Sequence, residues 1–369
     1  MRFHVTSSTP LPEGRRIDAI NFDSEITNCQ VSDAIPGGYG ALSLGYRLAL
    51  TDSISGFLGT PIDFVDLGHV QVFETSEAGW CVFEGRVQDM DSPTGRKATA
   101  LTATGYGAGT MAATTDMWYY YPSFDGEPTI GGGQLIREVV GQCAPLLRIG
   151  DVDAFYEPGG AYKRSGQNGR YPNQTIDEVV KAGDVNNNQI IFAVYENRLA
   201  QLYPNIPPTD PLSGETIADY YVPMDKMHVT VRRAGDKMIG IVAVQFTDPT
   251  NNTSAYTSLS SLQYQQDFML AHGCLLRGML VPSSSWPQQQ AEFFRDSYLQ
   301  RYREPLITAT VSLTDTWQAY DRMGGTIPYY QVRSGSWIQI ADAPPLIITS
   351  TRKDLLKETC SITASTVIG

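Results

Sequence analysis

Over residues 17–105, apolar and polar positions alternate in short runs. Ile17–Phe22 is the first. In Tyr39–Leu50, Leu42, Leu44, Tyr46, Leu48 and Leu50 fall at every second position, the spacing that turns one face of an extended chain toward a core. Val70 and Val72, then Val82–Val87, then Ala98–Thr104 continue the pattern. Turns at Ser76–Gly79 and Asp91–Gly95 separate them, and Gly105 stops the last. Strands at this spacing predict a barrel or sandwich.

The pattern then changes. Trp118–Tyr121 is an aromatic, strand-like block. Leu135, Ile136, Val139, Val140 and Cys143 recur at helical spacing and predict a helix after Gly133 that Pro145 limits. A second short helix is predicted from Thr175 through Lys181, with Ile176, Val179 and Val180 inward and Asn173 or Thr175 as its cap. Ile190–Tyr195 and Arg198–Tyr203 read as strands. Residues 216–250 return to alternation at Met227, Val229 and Val231 and in Met238–Thr247, ahead of a turn at Asp248–Thr253. Ser285 with Gln288 three residues on marks a helix start, Ala291, Phe294, Tyr298 and Tyr302 form one stripe, and Pro305 ends it.

The last stretch is β again: Ile307–Leu313, Tyr329–Val332, Trp337–Ile340, Leu346–Thr351 and Thr359–Ser365. It repeats the first in outline. Val70–Val72, Val82–Val87 and Ala100–Thr104 are followed in the same order by Ile338–Ile340, Ile347–Thr351 and Ser361–Ser365. Two similar barrels, one toward each end, are expected. The expected fold class is therefore mainly β with α+β parts. Its units are a first barrel (1–105), a mixed α/β domain (106–215), a second barrel (216–250 and 306–369) and a helical insert (251–305).

With 369 residues, a prior of about 100–200 residues per domain allows two to four domains, as this division needs. Thirty-four glycines and 22 prolines suit a turn-rich β protein. A net charge of −12 argues against non-specific binding to DNA or anionic membranes, which needs clustered Lys and Arg. The N-terminus has no apolar core of signal-peptide type, and no apolar run approaches the roughly 20 residues of a membrane span, so a protein made in the cytoplasm is expected.

The chemistry-bearing residues do not assemble into a site by spacing. Cys29, Cys81, Cys143, Cys274 and Cys360 are odd in number and far apart, as are His4, His69, His228 and His272. Small buried or half-buried thiols and satisfied or exposed strand histidines are expected. Gly105-Tyr106-Gly107-Ala108-Gly109 lacks the spacing and the βαβ setting of a dinucleotide loop, and Gly131–Gly133 lacks the Lys of a phosphate loop. Asp184, Asn186 and Asn188 open like a calcium loop, but Gln189 and Tyr195 stand where Gly and Glu are required, so a polar turn is expected. Glu84 is expected as a surface strand charge. Alternation puts half of Trp118–Tyr121 in a core, which favours core plus interface over a sugar platform. No catalytic residue, cofactor or metal is expected.

Three stretches together carry a resemblance. Val82-Phe83-Glu84-Gly85-Arg86-Val87, with the strand ending Thr104-Gly105-Tyr106, resembles the first barrel of tailed-phage baseplate hub proteins, with their F-x-G-R-V strand. Val332-Arg333-Ser334-Gly335-Ser336-Trp337-Ile338 resembles the V-R-x-G-D-x-I pair near the end of that fold, with Ser336 in place of Asp. Ile347–Asp354, with Thr349 and Thr351, resembles the closing F-I-T-x-T-x-Y-D strand, with Lys353 in place of the aromatic. The resemblance implies a structural virion protein at the tail tip, related to the N-terminal part of tail-associated lysins and made in the bacterial host cytoplasm. It implies a homotrimer whose paired barrels alternate in a pseudo-sixfold ring. The ring would adapt a sixfold tail tube to a threefold spike or fibre. Implied partners are the tail tube or distal tail ring, the tape measure, and the spike or fibre. DNA would only pass through an acidic channel, and there would be no membrane insertion. Some relatives carry cell-wall-cutting domains after the barrels; with four residues past Ser365, none is expected here. The alternatives are a distal tail protein or another ring-forming tail adaptor, and a carbohydrate-binding or carbohydrate-active β protein.

Overall fold

The computed structural model describes residues 3–8, 20–21, 26–46, 68–74, 79–91, 99–112, 118–149, 160–184, 186, 188–248, 253–257, 261–274, 277–280 and 288–368. The fold is mainly β, with a curled sheet and few helices. The expected turns near 76, 93 and 250, the positions of Leu48 and Leu50, and the Ser285 cap lie outside the described residues.

The first strands are β1 (Phe3–Ser8), β2 (Ile20–Asn21), β3 (Ile26–Ala34), β4 (Gly37–Tyr46), β5 (His69–Glu74), β6 (Cys81–Asp91) and β7 (Thr99–Gly105). They pair antiparallel in the order β3–β4–β7–β6–β5–β1, with β2 against β1. The period-two alternation accounts for their inner face: Cys29, Val31, Leu42, Leu44, Val70, Val72, Val87 and Leu101 are all buried.

A mixed region follows, with α1 (Tyr106–Met111), α2 (Gly132–Cys143), β8 (Arg148–Ile149), α3 (Pro172–Ala182), β9 (Ile190–Val194) and β10 (Leu199–Pro204). The expected stripe of α2 is buried in a separate core with Ile176 and Val179 of α3. α3 begins three residues before the expected start. Pro172 takes its first position, where a missing N–H costs nothing, and the Gln174 side chain accepts from the Tyr171 N–H at 3.1 Å. Thr175 is inside the helix, its hydroxyl donating to Gln167 at 3.0 Å. Trp118–Tyr121 is extended but joins no strand. Tyr119 enters the core, while Trp118 and Tyr120 face solvent.

The remaining elements are β11 (Tyr220–Val222), β12 (Val229–Ala234), β13 (Ile241–Asp248), β14 (Thr253–Thr257), α4 (Leu262–His272), β15 (Arg277–Leu280), α5 (Gln288–Tyr302), β16 (Leu306–Thr314), β17 (Ala319–Tyr320), β18 (Thr326–Ile327), β19 (Trp337–Ile340), β20 (Leu346–Asp354) and β21 (Thr359–Ser365). Tyr329–Gln331, expected as strand, is a 3-10 turn that buries Tyr329 and Tyr330. β13, grouped with the second barrel in the sequence reading, pairs instead with β14 and β15 in a three-stranded sheet. α5 lies against that sheet: Phe294 and Ala291 meet Val244 of β13 and Ala182 of α3, with Phe293 and Tyr298 flanking.

The second strand set runs β12–β16–β21–β20–β19–β11, the order of the first set. It differs at its end, where β11 lies parallel to β19. The likeness extends to single residues. β6 carries an irregularity against β7 between Val87 and Asp89, and β20 carries one against β21 between Ile348 and Ser350. The Val87 N–H donates to Gly68 O at 2.9 Å, and the Ile348 N–H to Ser336 O at 2.8 Å. In this shared register Ala103 matches Ala364, Leu42 matches Ala309, and Cys29 matches Val229. The two sets join where β3 pairs antiparallel with β20, Ala34 opposite Ser350 through Gln30 opposite Asp354, and one apolar core runs through both.

Candidate functional site

Where the two strand sets and the mixed region meet, the core is polar. Asp33 occupies an inward position of β3 and Lys353 an inward position of β20, each almost fully buried. The Lys353 ammonium donates to Asp33 Oδ2 at 2.9 Å and the Thr351 hydroxyl to the same oxygen at 2.6 Å. The Ser334 N–H donates to Asp33 Oδ1 at 2.6 Å. The carboxylate is thus paired and hydrogen-bonded, the condition under which a buried charge is tolerated. Tyr195, just past β9, donates its hydroxyl to Ser334 O at 2.5 Å. Burial pushes the neighbouring Cys360 thiol up to about 12, so it stays protonated and inert.

Arg333 is the second node. Its guanidinium lies 4.4 Å from the Trp80 ring centre, 5.2 Å from that of Tyr195 and 5.6 Å from that of Tyr39. It donates to Glu196, to Tyr39 Oη at 3.0 Å and to the carbonyl of Cys81 at 3.0 Å. The planar fork lets one side chain tie β4, β6 and the mixed region together.

The residues of the three motif stretches fall partly around these nodes. Phe83 is buried beside Tyr39, ring centres 5.9 Å apart. Gly85 and Gly105 stand opposite each other between β6 and β7. A Cβ on Gly105 would lie 1.8 Å from Tyr39 O, so that glycine permits the approach of α1 to β4. Arg86 sits between His69 and Thr104 in register, and Val87, Val332 and Ile338 are fully buried. Gly335 has φ +81° and donates to Ile348 O at 2.8 Å. Thr349 accepts from the Ile35 N–H at 3.0 Å and donates its hydroxyl to Thr363 O at 3.1 Å. Arg333, Gly335, Thr349 and Thr351 are therefore brought to the junction, while Arg86 and Ile338 stay within their own sheets.

Glu84 is not the surface charge expected from its sequence setting. It is buried, and accepts from Gln71 at 3.1 Å and from the Arg198 N–H at 3.0 Å. Burial holds its carboxyl above the usual range. The carboxylate fixes Asn197 and Arg198, two successive non-glycine residues at positive φ. His69 contacts Glu84 at 3.5 Å and Tyr106 Oη at 2.8 Å. Burial, reinforced by Arg198, lowers its pKa to about 4.

Spacing does not reveal Asp33 and Lys353 as partners, although each leaves a signal in its strand. Each interrupts an alternating apolar face, Asp33 after Cys29 and Val31, Lys353 after Thr351 and before Leu355. Asp184 closes the expected polar turn by accepting from the N–H groups of Asn186 and Asn188 at 2.9 and 2.8 Å. Cys274 is exposed, and the other four thiols are buried as expected. Among the described residues no cluster of His, Cys, Asp and Glu could hold a metal, and no helix is long and apolar enough to cross a membrane.

The sequence matches no family model and no curated protein. Solved structures do match, over nearly the whole chain. The prophage tail protein gp18 from Listeria monocytogenes aligns at a TM-score of 0.56 and 10% identity, over 100% of this chain and 95% of its own. The 43 kDa tail protein of prophage MuSo2 from Shewanella oneidensis aligns at 0.58 and 12%, over 99% and 98%. A tail protein from Neisseria meningitidis aligns at 0.56 and 9%, over 98% and 95%. The chain has the fold of these prophage tail proteins. The chemistry of the junction is that of a clamp: among the described residues, Asp33 and Lys353 pair with each other and Arg333 pairs with Glu196, all within the same chain.

Proposed function

We propose that the chain is a non-enzymatic structural protein of a phage tail, the hub at the tail tip. The observation that carries this reading is the doubling of one strand order and register within a single chain of prophage-tail-protein fold. Two like units per chain give six like positions from three chains, which is what an adaptor between a sixfold tube and a threefold spike or fibre requires. The first hub domain comprises residues 1–105 and the mixed domain 106–215. The second hub domain comprises residues 216–250 and 306–369, with the insert at 251–305 between; the pairing of β13 with β14 and β15 favours counting that strand with the insert. The tube or distal tail ring and the tape measure lie on one side, the spike or fibre on the other. Part of the acidic charge lines the channel, where DNA phosphates find no counter-charge, and the basic residues sit mostly at subunit contacts and outer faces.

Native mass measurement of the isolated tail tip tests this. Three copies are expected; six would favour the distal-tail ring. Hydrolysis of peptidoglycan or glycan by the pure chain would refute the non-enzymatic role.

A further inference from the structure

The two strand sets differ in what covers their first strand. β3 lies between β4 and β20, and its alternate residues are buried. β12, its counterpart, pairs with β16 alone among the described residues, and Thr230, Val231, Arg232 and Arg233 are all exposed. Val31 is 1% exposed and the matching Val231 is 49% exposed. An open strand edge with an exposed valine is a template for another strand.

The partner edge is also on this chain. On β20, the edge that receives β3 is the one that β19 leaves after Trp337 and Ile338. On β6, the counterpart of β20, β5 stops at Arg86, and the same edge of Gln88–Asp91 has no strand against it among the described residues. Gln88 and Asp89 are exposed.

We infer that the edge of β12 in one copy pairs antiparallel with the end of β6 in a second copy, repeating between chains the β3–β20 junction made within each. This rests on the ring reading and names its contact. Transferring the β3–β20 register sets Ala234 opposite Asp89, Arg233 opposite Met90 and Arg232 opposite Asp91. The charges fit at one position: Arg232 falls directly opposite Asp91, and directly opposed charges of unlike sign favour strand pairing. Each chain offers one edge of each kind, so the contact is head-to-tail, the type that closes rings. A contact between separate chains gains encounter rate and register from such an attraction.

The test uses the full chain carrying Cys274→Ser, which removes the exposed thiol and leaves the four buried ones. Arg232→Cys and Asp91→Cys are placed in separate chains, mixed and oxidised. Linked dimers are expected from the mixture and from neither protein alone, and a closed linked ring from the chain carrying both. Arg232→Glu should weaken association about tenfold, and adding Asp91→Arg should restore it. A wild-type oligomer that neither cross-links nor responds to the charge changes overturns the contact and leaves the ring reading standing. Linked rings of six copies keep the contact and sink the trimeric hub. A chain that stays monomeric at its highest soluble concentration, without cross-links, removes both.

Discussion

β3 and β12 hold the same place in two strand sets of like order, yet they carry opposite chemistry. β3 presents Asp33 inward, where Lys353, Thr351 and Ser334 satisfy it. β12 presents arginines to solvent at the matching positions. The backbone plan is therefore shared, and side-chain chemistry decides whether an edge is closed within the chain or left open. The closed junction is built around a buried ion pair, which adds little net stability against an apolar alternative but is costly to break from one side.

The largest effect should follow from breaking the closed junction. Lys353→Met leaves Asp33 buried without its counter-charge and should cost about 3–5 kcal/mol in chemical denaturation. The neighbouring Arg352 lies on the exposed side of the same strand, and Arg352→Met should change little. Equal effects from the two substitutions would mean that the buried pair is not what holds the sets together.

Phe294→Ala probes the region that belongs to neither set. Phe294 is 9% exposed within a small core against Val244 and Ala182. Its loss should cost about 3 kcal/mol, the lower end for a buried phenylalanine. Circular dichroism should show the strands of both sets retained. Strand content lost together with the helix would make the insert part of the sets' core.

A third measurement separates the sets by pH. His69 begins β5, whereas the matching Trp337 begins β19 and does not titrate, so β5 and its neighbours should respond and β19 should not. The folded pKa of His69 is lowered to about 4, so the neutral ring is favoured in the folded state. Its contribution is intact above the unfolded value near 6.5 and is lost as pH falls from there toward 4, by about 2–3 kcal/mol. Glu84 works in the opposite sense at the acid end, because its carboxyl is raised. An NMR titration of the His69 ring with a midpoint near 6.5 would defeat this, as would amide exchange quickening equally in both sets.

Much of this organisation is legible in the residues. The repeat of Val70–Val72, Val82–Val87 and Ala100–Thr104 foretold a duplicated strand order because alternation encodes a face, and a duplicated face needs duplicated pairing. The stripes of α2 and α5 were readable for the same reason at helical period. What alternation does not encode is the partner. Nothing local says that β13 leaves the second set for β14 and β15, or that Glu84 is covered by residues more than a hundred positions away. Asp33 and Lys353 are each odd in their strands, but only the fold brings positions 320 residues apart within 2.9 Å.

The smallest effect on the folded chain should come from the open edge. Arg232→Ala removes an exposed side chain from a strand whose outer edge has no partner among the described residues, so neither packing nor a buried charge is disturbed. The denaturation midpoint of the isolated chain should stay where it is, in contrast to Lys353→Met on the closed junction. Sedimentation should nevertheless show weaker association. A substitution silent in stability and audible in assembly is what an edge reserved for a second copy produces. If Arg232→Ala instead destabilised the monomer, the arginine would be working inside its own chain. The contrast between β3 and β12 would then be one of degree, with both edges closed from within.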